Sequence, residues 1–85
     1  MACYLVACEL NSPGDDYIGL TEAIERLASR SRRCLGSVWL VHAESTAAEL
    51  RDELKPHLGD NDRLLVAQIS EIAWRADARF ARGLA

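Results

Sequence analysis

Four runs of apolar residues predict the β-strands of this chain. The first contains one charged residue, Glu9, and is followed by the turn-forming segment Asn-Ser-Pro-Gly. A second region is rich in Val, Leu and Trp and is interrupted by a Gly-Ser pair, so it predicts two short strands joined by a tight turn or bulge. The predicted strands cover 2–10, 32–35, 37–43 and 64–69.

Helical periodicity between and after the strands predicts three helices. The first is predicted over 16–30, with Asp15 and Asp16 placed where an N-cap and first turn favour negative charge. Its apolar stripe consists of Leu20, Ile24 and Leu27. A terminal helix is predicted over 72–84.

The start of the second helix carries the most specific local signal in the sequence. Thr46-Ala47-Ala48-Glu49 matches a capping box, in which the threonine oxygen accepts the N3 amide and the glutamate accepts the N-cap amide. We expect this helix to end near Pro56, because proline lacks an amide proton and disfavours helical geometry in the preceding residue.

The order of these elements predicts an α+β fold in a single domain covering 1–85. Strand, helix, strand, strand, helix and strand, joined by right-handed crossovers, form a ferredoxin-like βαββαβ sandwich with an antiparallel sheet in the order 4-1-3-2 and a C-terminal helix. A chain of 85 residues has room for one core, and 49% hydrophobic residues argue against disorder. Both helices should then cover one face of the sheet.

The other face of the sheet is predicted to be apolar as well. Both alternating sets of side chains are apolar in the first strand, and the third and fourth strands repeat this pattern. A strand that is apolar on both faces is typically packed against other protein on both faces. We therefore expect a homodimer with Tyr4, Val6, Trp39 and Val41 at its interface; the alternative is a monomer covered by its own C-terminal helix.

Charge and cysteine content narrow the range of partners. Ten basic and thirteen acidic side chains give a net charge of -3, so any attraction to nucleic acid must come from local patches. The chain has neither a membrane-spanning apolar run nor the basic flank of a secretory signal at its start, which predicts a cytoplasmic protein with no membrane partner.

Cys3, Cys8 and Cys34 lie at no zinc-finger spacing and are expected to be free and buried. Cys8 and His42 each end a strand, and antiparallel pairing places them at opposite sides of the sheet, which argues against a catalytic dyad.

A carboxylate at the end of the first strand is the candidate for metal chemistry. Antiparallel pairing of the first and third strands brings Glu9 near Ser37. Hard divalent cations prefer oxygen ligands, so Glu9 is a candidate ligand for Mg²⁺. The alternative is an edge residue that reaches solvent or accepts a hydrogen bond from a loop amide.

Arginines around the second strand are the candidates for phosphate binding. Four of the ten basic residues fall within eight positions, 26–33. Clusters of this kind beside a sheet edge commonly contact phosphates, which makes Arg30, Arg32 and Arg33 candidate nucleic-acid ligands. The alternative is a solvated surface with acidic partners nearby.

Several short segments together resemble a known family. The first strand ends in Glu-Leu before Asn-Ser-Pro-Gly, and a later strand begins Ser-Val-Trp. The closer matches are 39–41, 54–58, 61–66 and 73–75. This layout resembles the CRISPR-associated Cas-two and VapD superfamily, most closely its SinR-like branch, and the resemblance covers nearly the whole chain.

The resemblance implies a ferredoxin-like homodimer. In members that are nucleases, an aspartate at the end of the first strand of each subunit holds Mg²⁺ near the two-fold axis; here Glu9 occupies that position, and Ser37 would lie near the scissile phosphate. A misplacement on the order of 1 Å can cost roughly a hundredfold in rate, so the longer glutamate puts hydrolysis in doubt. Other members are non-catalytic scaffolds in nucleic-acid complexes.

We therefore predict a small homodimeric module associated with DNA or RNA, in one form a degenerate Mg²⁺-dependent nuclease. Arg30, Arg32 and Arg33 would contact the phosphate backbone. The alternative is a non-catalytic protein-interaction scaffold, or a toxin-antitoxin-type component, with a protein partner in a larger complex. The two differ in salt dependence, because phosphate binding weakens steeply as salt rises.

Overall fold

The computed structural model describes residues 2–11 and 17–73 as an α+β fold with four strands and two helices. A short 3₁₀ turn, Lys55–His57, follows the second helix. The elements are β1 Ala2–Glu9, α1 Ile18–Leu27, β2 Arg30–Leu35, β3 Val38–Ala43, α2 Ala47–Leu54 and β4 Arg63–Gln68. None of the helices in these two ranges is long and apolar enough to cross a bilayer.

All strand pairs in the sheet are antiparallel, and the strand order is β2-β3-β1-β4. Read from the β4 edge, this order is 4-1-3-2. β1 lies between β3 and β4, so that Leu5 is opposite Leu40 on one side and Ala67 on the other. The α+β class and the four-stranded antiparallel sheet are therefore confirmed.

The core lies between one face of the sheet and the two helices. Its helical side chains are Leu20, Ala23 and Ile24 of α1 and Leu50 and Leu54 of α2, all at most 1% exposed. Burial of each large aliphatic side chain contributes about 1.5–3 kcal/mol, so this face supplies most of the stability of a domain of this size.

The side chains predicted for the dimer interface form the strand side of this core. Tyr4, Val6, Trp39 and Val41 are at most 4% exposed and pack against the helices. A second copy cannot reach them, which corrects the prediction. Since both alternating sets of β1 and β3 are apolar, period-two alternation alone could not tell which set faces the helices. The opposite set, beginning with Cys3 and Leu5, faces away from them.

The helix boundaries differ from the predicted ones at two places. α1 begins at Ile18, and its N-cap is Tyr17, in a left-handed conformation with φ of 56° and no side-chain cap. The predicted capping residues Asp15 and Asp16 lie outside the described residues. Of the predicted terminal helix over 72–84, only positions 72 and 73 are described, and they are not helical.

The capping box of α2 is confirmed. The Glu49 amide donates to the Thr46 hydroxyl oxygen at 3.1 Å, and the Thr46 amide donates to the Glu49 carboxylate at 2.9 Å. The Thr46 amide first, and its side chain second, lower the pKa of the Glu49 carboxyl. The helix ends at Leu54, just before the turn that contains Pro56, as the proline predicts.

Thr46→Ala should lower the free energy of unfolding by about 1 kcal/mol, because an N-terminal amide of α2 loses its acceptor. Urea unfolding followed by circular dichroism measures this. Thr46→Ser is the matched control and should retain most of the stability, since it keeps the hydroxyl. Equal losses in the two variants would contradict the assignment.

The stability that the capping box contributes should depend on pH. Because folding lowers the pKa of Glu49, its stabilising contribution is present above the unfolded-state pKa and is lost as pH falls through the lower folded-state pKa. The stability difference between the parent protein and Glu49→Gln should therefore shrink on acidification. A difference that grows below pH about 4 would contradict this sign.

Candidate functional site

The face of the sheet away from the helices, here called the open face, has an apolar centre. The register places on it Cys3, Leu5 and Ala7 of β1, Val38, Leu40 and His42 of β3, Leu65 and Ala67 of β4, and Leu35 of β2. Leu35 is 63% exposed and Leu65 is 56% exposed. Four strands about 4.8 Å apart, with about six residues each, give a face of roughly 19 Å by 20 Å. The apolar surface open to solvent is smaller than this, because Arg30 and Arg32 share the face and Leu40 is only 3% exposed. A contiguous exposed apolar patch on a monomer commonly marks an interaction site.

Arginines border the open face along β2, but only two of the three predicted ones do so. Arg30 is opposite His42 and Arg32 is opposite Leu40, so both belong to the open face. Arg33 is opposite Trp39 and therefore lies on the helix side.

Arg33 lies apart from the two other arginines of the predicted nucleic-acid site. Its guanidinium lies 5.2 Å from the centroid of the Trp39 ring, and its Nε donates to the Gly36 carbonyl at 2.7 Å. These contacts fasten the β2–β3 turn next to a bulge that begins after Arg33. Three arginines that are close in sequence are therefore divided between the two faces of the sheet.

The predicted catalytic pair, Glu9 and Ser37, lies at the end of the sheet where β1 leaves it. The Ser37 carbonyl accepts the Cys8 amide at 2.9 Å, which places Ser37 beside the last residues of β1. Glu9 is exposed and opposite Arg63, whose Nε is 3.7 Å from its carboxylate oxygen. The Asn11 side-chain amide donates to the same oxygen at 3.5 Å.

The surroundings of Glu9 do not fit a Mg²⁺ ion within one chain. A guanidinium and an amide donor lie beside its carboxylate, whereas a hard cation needs further oxygen ligands. Across 2–11 and 17–73, no group of three or more His, Cys, Asp or Glu side chains is placed to hold a metal. We therefore derive no hydrolytic step through a metal at this position.

Asp62 organises the same end of the sheet, and the sequence indicated only a turn there. Its carboxylate accepts the Asn11 amide at 2.6 Å, the Tyr17 hydroxyl at 2.8 Å and the Gly59 amide at 2.8 Å. One side chain thus joins the end of β1, the start of α1 and the turn before β4. The Gly59 bond has a sequence signal, because aspartate commonly accepts a backbone amide in a turn, but the other two span more than 40 residues.

The three cysteines are free and half-buried. Burial first, and the nearby Asp62 carboxylate second, raise the pKa of Cys8 to about 11. At neutral pH its thiol is therefore protonated and a poor nucleophile. Cys3, and not Cys8, is opposite His42, as expected for strands that end on opposite sides.

Comparisons with known proteins add no family or fold assignment. No family model matches the chain, and no solved structure matches it. The resemblance to the Cas-two and VapD superfamily therefore stays a prediction based on short motifs.

Asp62→Asn should lower the free energy of unfolding by about 1–3 kcal/mol, because an amide nitrogen would replace one of the oxygens that accept Asn11, Tyr17 and Gly59. Asp60→Asn is the matched control: Asp60 is an exposed carboxylate in the same turn, and its replacement should change stability by less than about 0.5 kcal/mol. Thermal and urea unfolding of both variants measures the difference. Equal stabilities would show that the carboxylate does not hold the three segments together.

Proposed function

We propose that this chain is a homodimeric, nucleic-acid-associated module with a ferredoxin-like fold, and that it does not hydrolyse its ligand. Two copies would join through their open faces, and Arg30 and Arg32 at the border would contact phosphates of DNA or RNA. The observation that carries the proposal is the apolar centre of the open face, bordered on one side by these two arginines.

The apolar centre supports a second copy as the occupant. Leu35 and Leu65 are exposed at opposite edges of the open face, and Leu5, Ala7 and Val38 on the same face are partly exposed. Apolar area on this face therefore remains in contact with water, although Leu40 among these residues is buried. A two-fold dimer uses one patch twice, so an apolar patch with few charges at its centre is complementary to itself. Covering it removes apolar area from water on both copies at once.

The arginine border supports phosphate contacts rather than base recognition. None of the open-face residues named above is Phe, Tyr or Trp, so this surface offers no aromatic platform for stacking bases. Guanidinium groups pair with phosphate oxygens in any sequence. Since the whole chain carries a net charge of -3, the attraction would be local and weak, and it should depend strongly on salt.

The fold supports the same proposal. Two helices on one face of a sheet in this strand order are compatible with the ferredoxin-like sandwich of the family that the sequence resembles. In that family, non-catalytic members act as scaffolds in nucleic-acid complexes. The contact of Glu9 with Arg63 favours the non-catalytic form, because it sets a cation beside the carboxylate that active members use for metal.

A protein-interaction scaffold, including a toxin-antitoxin-type component, is the second candidate. The same apolar centre favours it, because that surface would accept an apolar face of another protein equally well. This candidate needs no phosphate contact, so only the nucleic-acid proposal predicts an effect of replacing Arg30 and Arg32.

Leu65→Glu should weaken self-association by about 100-fold or more, because dimerisation would bury an unpaired carboxylate. Sedimentation equilibrium measures the change, and circular dichroism checks that the variant is folded. Ile18→Glu is the matched control, since Ile18 is also 56% exposed but belongs to α1. A monomeric parent protein at high micromolar concentration, or equal dissociation in both variants, would remove the proposed dimer.

The double variant Arg30→Gln, Arg32→Gln should weaken binding to every oligonucleotide sequence alike and reduce the slope of log affinity against log salt by about 2. Fluorescence anisotropy at several salt concentrations measures this. Arg26→Gln with Arg51→Gln removes the same charge away from the open face and should leave the slope unchanged. Absence of binding at low salt would favour the protein scaffold.

A further inference from the structure

A small cavity lies at the corner of the open face where β1 begins and β3 ends. It has a volume of about 190 Å³. Three neighbouring strands contribute Arg30, His42 and Cys3, which are directly opposite one another in register. Ile69 follows in the same row, because its amide donates to the Cys3 carbonyl at 2.9 Å.

The polar groups of this cavity are suited to an anion. Arg30 carries a permanent positive charge, His42 can donate from a ring nitrogen, and Ser31 adds a hydroxyl-bearing residue to the lining. Among the described residues that line the cavity, none is acidic. A guanidinium beside an imidazole disfavours a bound cation and favours a phosphate or carboxylate.

The apolar lining indicates that the anion carries an organic group. Leu40 is buried and lies between the centre of the open face and the polar row formed by Arg30, His42 and Cys3. Ile69 and Ile72 contribute apolar surface on the β4 side. Apolar walls with a few convergent polar groups are the usual composition of small-molecule sites. Inorganic phosphate would leave these walls in contact with water, whereas a phosphate ester would cover them.

A larger groove elsewhere on the domain lacks this selectivity. It lies between the end of α2 and the turn before β4, with a volume of about 720 Å³. Arg51 and Lys55 line it together with Asp52 and Asp60, so its charges are mixed. Arg51 is already 3.0 Å from Asp52. This groove does not discriminate between anions and cations.

We infer that the cavity bounded by Arg30, His42 and Cys3 binds the phosphate end of a phosphate monoester, with the phosphate on Arg30 and His42 and the adjoining organic group against Ile69 and Ile72. The ester is either a free nucleotide or the terminal phosphate of a nucleic-acid strand. The inference goes beyond the proposed function, because a single chain supplies every group that it needs. It requires that the corner of the open face with Cys3 and His42 stays outside the proposed dimer contact. It also differs from backbone binding, since Arg32 does not line the cavity.

Isothermal titration calorimetry with adenosine monophosphate, adenosine and inorganic phosphate tests the inference. The monophosphate should bind more tightly than either of the other two, because only it uses both the polar row and the apolar walls. Arg30→Gln and His42→Gln should each weaken it about tenfold, and Arg51→Gln should leave it unchanged. Equal affinity for adenosine and its monophosphate, or equal effects of Arg30→Gln and Arg51→Gln, would overturn the inference.

Alkylation of the thiols gives a second readout on the unmodified protein. Adenosine monophosphate should slow the labelling of Cys3 by iodoacetamide, because the ligand covers it, and should leave the labelling of Cys8 unchanged. Peptide mass spectrometry separates the two sites. Unchanged labelling of Cys3 at a saturating ligand concentration would contradict the inference.

Binding of oligonucleotides distinguishes a terminal phosphate from a free nucleotide as the source of the ester. It also distinguishes binding in the cavity from the backbone binding of the proposed function. A strand with a 5′-phosphate that binds more tightly than the same strand without it, with the difference lost in Arg30→Gln and retained in Arg32→Gln, supports a terminal-phosphate site. Binding of the mononucleotide without this difference supports a free nucleotide. Failure of backbone binding together with intact mononucleotide binding would remove the proposed function and leave the cavity assignment standing.

Discussion

The central position of β1 determines where the other elements of this protein lie. β1 pairs with β3 on one side and β4 on the other, so its side chains alternate between two faces in the middle of the sheet. Val6 and its neighbours on one face meet the helices and close the core. Leu5 and its neighbours are equally apolar, but they face away from both helices. The part of this second set that is still exposed is the basis for the proposed dimer through the open face.

The two ends of the sheet differ in their chemistry. Where β1 leaves the sheet, carboxylates are already engaged: Asp62 by three donors, and Glu9 by Arg63 and Asn11. Where β1 begins, Arg30 and His42 flank a cavity without an acidic group among its described lining residues. Positive charge is therefore available to a ligand at the end where β1 begins, opposite the predicted carboxylate site.

Features encoded by a few adjacent residues were predictable from the sequence. The capping box at Thr46 and the end of α2 before Pro56 follow from local backbone chemistry, and the strand order follows from the rules for short, right-handed connections. The sequence could not predict which face of an apolar strand meets the helices, because both alternating sets of its side chains are apolar. Arg33 lies on the helix side, next to a bulge between Arg33 and Leu35, whereas the sequence indicated a turn or bulge only at the Gly-Ser pair that follows. The contacts of Asp62 depend on segments that only the folded chain brings together.

Methyl NMR of the parent protein over a dilution series can show whether two copies join through the open face, because it reports on each face of the sheet separately. If the open faces associate, the methyl signals of Leu5, Val38 and Leu65 should change with protein concentration, while those of Val6 and Val41, buried under the helices, should not. Signals of the open face that are independent of concentration up to the high micromolar range would contradict it, as would equal changes on both faces.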